Sequence, residues 1–341
     1  MSGEASADTE RAYAELRRAV VSAGLLDRAY AYYLLRAGGS MLLLSLAIAA
    51  ALWAPTGLGW AVLSALLIAF GSVQVGLVGH DAGHLAVFNS RRANWALGSV
   101  CWSLTLGIGF WYWYDRHNRH HASTNDLGAD PDLRWAELVA YTETSVYARP
   151  PRARRLVRYQ AILGPCFALG LAFAFRVESW VFTARHLCGW RRLAEAGLLG
   201  LSTALWTLPT VGRGAGWLGM FLLAQVLAGL YLALTIAPNH KGMPTWPAGT
   251  EVSFLDRQVR GSRNVAPHPV TDFLMGGLNY QIEHHLFPTM PRSAFGRARA
   301  IVKPFCLAHG LPYAEMTPLA SYRLVLAELR RVGQLAAARP D

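Results

Sequence analysis

Residues 37–80 read AGGSMLLLSLAIAAALWAPTGLGWAVLSALLIAFGSVQVGLVGH and contain no Asp, Glu, Lys or Arg. A helix of about 20 apolar residues is long enough to cross a bilayer. The helix-breaking residues between Pro55 and Gly59 divide the run into two segments near that length. The run therefore predicts two membrane-spanning helices, over about residues 38–54 and 59–79.

The composition of the whole chain agrees with a membrane location. Of 341 residues, 53% are hydrophobic and only 16% are charged, whereas soluble domains average about 25% charged residues. Further uncharged runs lie at residues 93–114, 159–175, 196–212 and 214–240. We therefore expect an all-α integral membrane protein with six candidate spans.

Histidines form the second conspicuous pattern. Seven of the 11 histidines fall in three short clusters, HDAGH, HNRHH and QIEHH, which contain His80, His84, His117, His120, His121, His284 and His285. Residues three or four apart share one face of a helix, and neutral imidazole binds iron, copper or zinc without adding charge. With His240 in PNHKG, the set is large enough for two metal ions. One such pair alone is often surface decoration, but three clusters favour a dimetal site.

A single site requires all three clusters on one side of the membrane, so an even number of crossings must separate them. The run at 93–114 stands alone between HDAGH and HNRHH, which predicts an interfacial helix rather than a span. Of the three runs between HNRHH and His240, two can cross. We choose 196–212 and about 214–236, because a tight turn with only Arg213 joins them. The remaining segment, about 159–185, has cationic flanks typical of an in-plane helix.

This four-span topology also predicts the orientation. Every basic residue of the 32 except Arg213 falls on the side of the histidines, and positive charge marks the cytoplasmic side. We expect a cytoplasmic amphipathic arm at 1–36 and one membrane domain at 37–341. Its cytoplasmic cap carries the dimetal site and includes the C-terminal region 239–341. The net charge of +11 suits anionic membrane lipids or an acidic electron donor; no nucleic acid partner is expected.

The ligand type and the membrane location together narrow the chemistry. Two ferrous ions in a neutral imidazole shell keep a positive charge and can use dioxygen to form a strong oxidant. Such an oxidant suits an unactivated C–H bond, as in a lipid acyl chain. The aromatic stretch at 110–114, FWYWY, fits either a wall of an apolar slot or an interfacial aromatic belt.

The stretches GHDAGH, WYWYDRHNRHH and GGLNYQIEHHLFPTMPR resemble the three histidine boxes of the membrane-bound fatty acid desaturases, over about residues 78–292. A third box that begins with Gln281 resembles the front-end desaturases and many bacterial acyl desaturases. The resemblance implies two iron ions, O2 as co-substrate, and a metal centre made by the seven box histidines, with His240 as a further ligand. The spacing around His240 departs from the Asn-x-x-x-His pattern of acyl-CoA desaturases.

The resemblance also implies an activity and partners. We expect a cis double bond to be introduced into a fatty acyl chain carried by CoA, a carrier protein or a phospholipid, in a bacterial inner membrane. No HPGG haem motif occurs in the chain. We therefore expect a separate ferredoxin- or cytochrome-type electron donor, reduced by an NAD(P)H reductase. Metal-bound histidines usually donate their second N–H to a polar neighbour. Candidates for this role are Asp81, Asp115, Asn239, Asn264, Asp272, Gln281 and Glu283.

Other functions remain as alternatives. A lipid hydroxylase, ketolase or acetylenase would use the same di-iron scaffold, and only the product distinguishes it from a desaturase. A zinc protease is disfavoured because HDAGH lacks the glutamate of HExxH. A haem-bearing electron carrier would place histidine pairs within the spans, not at their ends. A metal transporter, the non-enzyme alternative, would need ionisable residues at mid-membrane, which the predicted spans lack.

Overall fold

The computed structural model describes residues 2–53, 57–133 and 139–338. The helices are α1 (Ser2–Ser22), α2 (Tyr30–Trp53), α3 (Leu58–Gly83), α4 (Arg91–Ser99), a π-helix (Val100–Leu106), α5 (Phe110–Ala122), α6 (Glu143–Tyr147), α7 (Pro151–Val157), α8 (Gln160–Leu169), α9 (Leu171–His186), α10 (Gly189–Thr207), α11 (Pro209–Arg213), α12 (Ala215–His240), α13 (Phe254–Arg260), α14 (Pro269–Leu274), α15 (Gln281–Leu286), a 3-10 turn (Arg292–Ala294), α16 (Phe295–Ala308) and α17 (Pro318–Ala338). Strands β1 (Asn264–Val265) and β2 (Glu315–Met316) pair in parallel, Asn264 with Glu315. Residue 54, the predicted end of the first span, and Pro55 of the loop that follows lie outside the described residues.

The chain forms two compact units. The apolar unit comprises Arg28–Asp115 and Ala168–Leu234, and the polar unit comprises Met1–Asp27, Arg116–Phe167 and Thr235–Asp341. The first residues of α5 belong to the apolar unit and its last residues to the polar unit, and the same holds for α12.

The structure confirms the mostly helical prediction, and its long apolar helices are candidates for membrane spans. Among the described residues, α2, α3 and α12 are long and apolar enough to cross a bilayer. Side chains such as Leu42 and Leu46 on α2, 60% and 59% exposed, have no protein cover, as expected for a surface that faces lipid. Three of the four predicted spans therefore correspond to single long helices.

The fourth predicted span, residues 196–212, differs from a single helix. It is divided between α10 and α11, and α10 begins at Gly189 and carries Arg191 and Arg192 in its first turn. The predicted interfacial segment 159–185 also differs. It forms α8 and α9, which meet at Gly170 with a bend of 63° and together are apolar enough for a broken span or a re-entrant loop.

The predicted interfacial helix over 93–114 is also interrupted. Helix α4 continues into the π-helix, and the chain then turns through Gly107, whose φ of 68° is left-handed, before α5 begins. Glycines on α3 allow close packing in the apolar unit. A Cβ at Gly79 would lie 2.6 Å from the Cβ of Cys101 in the π-helix, and one at Gly83 would lie 2.2 Å from the Trp113 ring. Small residues at such contacts are typical of membrane helix packing.

The polar unit has its own hydrophobic core, to which α1 contributes. Leu16 and Val20 of α1 are fully buried, and they belong to one cluster with Val259 of α13, Ile282 of α15 and Val302 of α16. The predicted arm at 1–36 is thus divided between two helices. Helix α1 packs into this core, and the last residues of the arm form the first turns of α2. The core holds α15, the helix of the third histidine cluster.

Candidate metal centre

Three histidines of the polar unit converge from three helices. His120 lies near the end of α5, His240 is the last residue of α12, and His285 is on α15; their exposures are 2%, 8% and 1%. The Nε2 atoms of His120 and His240 are 3.3 Å apart. The ring centre of His285 is 4.7 Å from that of His240 and 5.1 Å from that of His120. We call these three residues the inner cluster.

The second ring nitrogen of each inner histidine already has a partner. Nδ1 of His120 lies 3.0 Å from a carboxylate oxygen of Asp130, and Nδ1 of His240 lies 2.9 Å from the carbonyl oxygen of Gly261. Nδ1 of His285 lies 2.8 Å from the amide oxygen of Gln258. Because these oxygens accept hydrogen bonds, each Nδ1 is the protonated nitrogen, and each Nε2 keeps its lone pair for a metal.

The spacing of these lone pairs fits a transition metal. Imidazole nitrogens lie about 2.0–2.1 Å from a bound metal, so two ligands at octahedral or tetrahedral angles are about 2.8–3.4 Å apart. The distance of 3.3 Å between His120 and His240 lies in this range. Nε2 of His285 is buried and has no hydrogen-bond partner among the described residues, which leaves it available as a third ligand.

The electrostatics of the inner cluster are uneven. Burial lowers the pKa of His120, but the carboxylates of Asp130 and Asp132 outweigh this effect and raise it overall. Burial and the neighbouring histidines hold the pKa of His285 well below its ordinary value, so its ring is neutral at physiological pH. Asp130 also accepts hydrogen bonds from the backbone N–H groups of Asn125 and Asp132, which fix the carboxylate.

A second group, the outer cluster, consists of His117 and His121 on α5 and His284 on α15. The Nε2 atoms of His117 and His121 are 3.2 Å apart, and the ring centres of His121 and His284 are 4.8 Å apart. His117 and His121 are half-buried, whereas His284 is 1% exposed. The ring of His121 also stacks on that of His285 at 4.1 Å, so the two clusters are adjacent.

The first histidine cluster belongs to the apolar unit. His80 and His84 lie at the end of α3 with ring centres 4.8 Å apart. Asp81 accepts a hydrogen bond from the Tyr33 hydroxyl at 2.7 Å and lies 3.2 Å from Nδ1 of His80. Trp113 packs 5.4 Å from the His80 ring. This contact places one residue of the aromatic stretch against the first cluster.

The other predicted neighbours divide into two groups. Gln281 reaches the histidines directly, because its amide nitrogen is 2.9 Å from Nε2 of His240, and Asn239 in turn donates to Gln281. Asn264 and Glu283 instead hold α15: Asn264 accepts from the Ile282 N–H and donates to Glu283.

Asp272 and Asp115 complete the predicted set. Asp272 accepts hydrogen bonds from Asn279 and Tyr280, just before α15. Asp115 is half-buried on α5.

Sequence reasoning missed the partners of the inner cluster. Asp130 and Asp132 lie in the loop after α5, and Gln258 is on α13. The signal for the aspartates is the acidic pair in DPD, which begins ten residues after His120. Gln258 has no such signal, since a glutamine on a short helix far along the chain is ordinary.

Comparison with known proteins points to one family. The family model described as fatty acid desaturase matches residues 53–317. The chain is 28% identical to a Delta(6)-fatty-acid desaturase of Caenorhabditis elegans, over 94% of this chain and 75% of that protein. It is also 28% identical to an acyl-lipid (9-3)-desaturase of Physcomitrium patens, over 95% of this chain and 63% of that protein.

A bovine relative, fatty acid desaturase 3 of Bos taurus, is 30% identical over 82% of this chain and 63% of its own length. The chain thus spans between 63% and 75% of the length of these three relatives. The family model matches well over half of the chain and covers all three histidine clusters. The chain therefore belongs to the fatty acid desaturase family, and it is a fatty acyl desaturase, a membrane oxidoreductase.

Proposed function

We propose that this protein introduces a cis double bond into a lipid acyl chain with a di-iron centre and O2. The observation that carries the proposal is the inner cluster, in which three buried imidazoles from three helices bring one ring nitrogen each to one position. The reaction would convert one –CH2–CH2– unit, O2, two electrons and two protons into one –CH=CH– unit and two water molecules. Bound iron would supply the oxidant for the C–H bonds.

We assign one iron to the inner cluster of His120, His240 and His285. The outer cluster of His117, His121 and His284 would hold the other. The histidine-box pattern adds His80 and His84 to the ligand set. Neutral imidazole ligands leave the charge of the metal uncompensated, so the nearby carboxylate of Asp130, 3.0 Å from His120, would be the main local anion. Such a partner increases the basicity of the ligand and fixes its ring.

The protein's own contribution is orientation. The Nδ1 partners Asp130, Gly261 and Gln258 come from loops and a helix outside the three metal-binding helices. They hold each ring before a metal arrives, which reduces the entropy lost on binding. Asn239 and Gln281 would orient a water or substrate group beside the inner metal.

We infer four spans with both termini and the metal centre in the cytoplasm. If the last turns of α3 and α12 share one side, the chain must cross an odd number of times after α3 and before α12, because α12 is itself a crossing. Residues 196–212 end directly before α12 and so supply that crossing. The loop there holds one cation, Arg213, while the other basic residues lie on the histidine side. A bacterial inner membrane remains the proposed location.

The proposed substrate is an acyl chain on CoA, a carrier protein or a phospholipid. A separate ferredoxin- or cytochrome-type protein with an NAD(P)H reductase would deliver the electrons. The names of the relatives specify Delta(6) and acyl-lipid (9-3) activities. The position of the new double bond is therefore the first property to measure.

The test is expression in a host with a defined fatty acid pool, followed by lipid profiling and location of double bonds by mass spectrometry. We expect products that have lost two hydrogens, with a cis double bond at one position, and none with the His284→Ala variant at equal membrane abundance. Products that gain oxygen would instead support the hydroxylase or ketolase alternative. Unchanged lipids with iron and an electron donor supplied would contradict the proposal.

A further inference from the structure

A second feature of the polar unit is a basic segment outside the metal centre. Residues 144–177 contain no Asp or Glu, and five arginines fall within ten residues: Arg149, Arg152, Arg154, Arg155 and Arg158. Most of them lie on or beside α7. Neither the proposed ligands nor their partners include any of these arginines.

One side of this segment is fixed to the rest of the polar unit. Val157 of α7 is 3% exposed and packs in a cluster with Val146 of α6 and Val332 of α17. Gln160, 1% exposed, accepts from the Ala140 N–H at 2.8 Å and donates to the Leu329 carbonyl at 2.9 Å. These contacts determine which side of α7 faces outward.

The outward side combines cations with large apolar side chains. Arg152, Arg155 and Arg158 are exposed, and so are Leu156, Tyr159 and Ile162, at 63%, 48% and 71%. We call these six residues the arginine stripe. The guanidinium of Arg158 lies 4.7 Å from the centre of the Tyr159 ring. Arginine beside aromatic and aliphatic residues is typical of helices in the membrane interface.

Arg149, just before the stripe, points to an anionic ligand. Both of its terminal nitrogens are shielded from solvent and have no hydrogen-bond acceptor in the part of the chain that the structure describes. A guanidinium that is shielded without an acceptor is costly. A phosphate oxygen would satisfy it, since arginine binds phosphate with paired N–H groups.

We propose that the arginine stripe binds the headgroups of anionic phospholipids and anchors the polar unit to the membrane surface. The charges alone would also suit an acidic protein. The exposed Leu156 and Ile162 favour lipid, because large apolar side chains next to the arginines in the chain can insert among acyl chains. The stripe also leads into α8, which belongs to the bent apolar helix pair. The arginines would then lie at headgroup depth and the apolar residues deeper. The inference is independent of the proposed chemistry, because its test needs no turnover.

The experiment compares the full-length protein in nanodiscs of phosphatidylcholine alone and of phosphatidylcholine with one third phosphatidylglycerol. Hydrogen exchange over residues 149–162 should be slower in the anionic discs. Native mass spectrometry should show more retained phosphatidylglycerol than phosphatidylcholine. Each arginine near an anionic surface contributes roughly a fivefold preference, so the triple variant R152Q/R155Q/R158Q should lose most of this selectivity. The matched control R17Q/R18Q/R297Q, three exposed arginines on α1 and α16, should keep it.

Two outcomes would overturn the proposal. One is equal lipid selectivity in the triple variant and the wild type. The other is a triple variant with unchanged lipid retention but weaker binding of an acidic electron donor, which would assign the stripe to a protein partner. If the triple variant does not accumulate, single substitutions at Arg152 and Arg155 provide the same comparison, each with an expected loss of roughly fivefold.

Discussion

The inner and outer histidine clusters use the same ligand type but are built differently. The inner rings come from three helices, are all buried, and are held through Nδ1 by Asp130, Gly261 and Gln258. In the outer cluster, two rings come from neighbouring turns of one helix, α5, and both are half-buried.

The difference indicates two ways to prepare a metal site. A helical i, i+4 pair brings two nitrogens together through local geometry alone. Ligands from distant segments need partners that fix each ring. We therefore expect the inner cluster to depend on its hydrogen-bond partners, and the outer cluster to depend mainly on the integrity of α5.

The largest expected effect is the loss of a ligand. His120→Ala in the inner cluster and His121→Ala in the outer cluster should each abolish desaturation. A ligand that acts as part of one metal centre is not replaced by its neighbours. Iron content, measured by plasma emission spectrometry on purified protein, should fall in both variants at equal membrane insertion. Iron loss in His120→Ala without loss of activity would contradict the assignment.

The next effect concerns the carboxylate of the inner cluster. Asp130→Asn should lower activity or iron affinity about 10- to 100-fold, as is typical when the hydrogen-bond partner of a metal-bound histidine is changed. Asp126→Asn is the matched control. Asp126 lies in the same loop but accepts from the backbone N–H groups of Gly128 and Ala129. Equal iron affinity in both variants would contradict the expectation that the inner cluster, unlike the outer cluster, depends on its hydrogen-bond partners.

A smaller effect is expected at Gln258, whose amide oxygen lies 2.8 Å from Nδ1 of His285. Gln258→Ala should weaken iron binding about tenfold, at the lower end for such partners. Gln258→Glu keeps the acceptor and should retain binding. Competition with a chelator of known affinity measures both. If both variants behave like the wild type, the ring of His285 does not need this partner.

The smallest effect tests the scaffold of α15 through Glu315 on β2, since Asn264 of the paired strand β1 donates to Glu283 of α15. Hydrogen bonds from Arg299 and Lys303 hold the pKa of Glu315 below its ordinary value of 4.5. A carboxylate with a lowered pKa in the folded state stabilises the protein above the unfolded-state pKa. That stabilisation is lost as the pH falls through the folded-state pKa.

Glu315→Gln should therefore lower the free energy of unfolding by about 1 kcal/mol or less at neutral pH. The difference from the wild type should vanish at acidic pH, below the folded-state pKa of Glu315, which lies under 4.5. Thermal unfolding in detergent at both pH values measures this difference. A deficit that persists at low pH would indicate lost packing rather than lost charge, and inner-cluster iron should be unaffected at neutral pH.

Local sequence patterns identified the parts of the fold that depend on nearby residues. The uncharged run at 37–80 predicted α2 and α3, because length and apolarity suffice for a span. The same reasoning located α12. It did not predict the break within 196–212 or the bend at Gly170, since these depend on how the helices pack. For example, a Cβ at Gly229 of α12 would lie 2.8 Å from the carbonyl oxygen of Ala168, beside that bend.

The sequence by itself determined the type of protein: apolar runs require a membrane, and clustered imidazoles indicate metals. It also identified the family through three histidine motifs, and every inner and outer histidine was among the predicted ligands. Only the tertiary structure decided how the polar unit's histidines divide into two clusters, and that Asp130, Gly261 and Gln258 hold the inner one. The physical reason is that spacing along a helix specifies neighbours within about one turn, whereas contacts between residues more than 100 positions apart, as between His120 and His240, depend on packing of the whole unit.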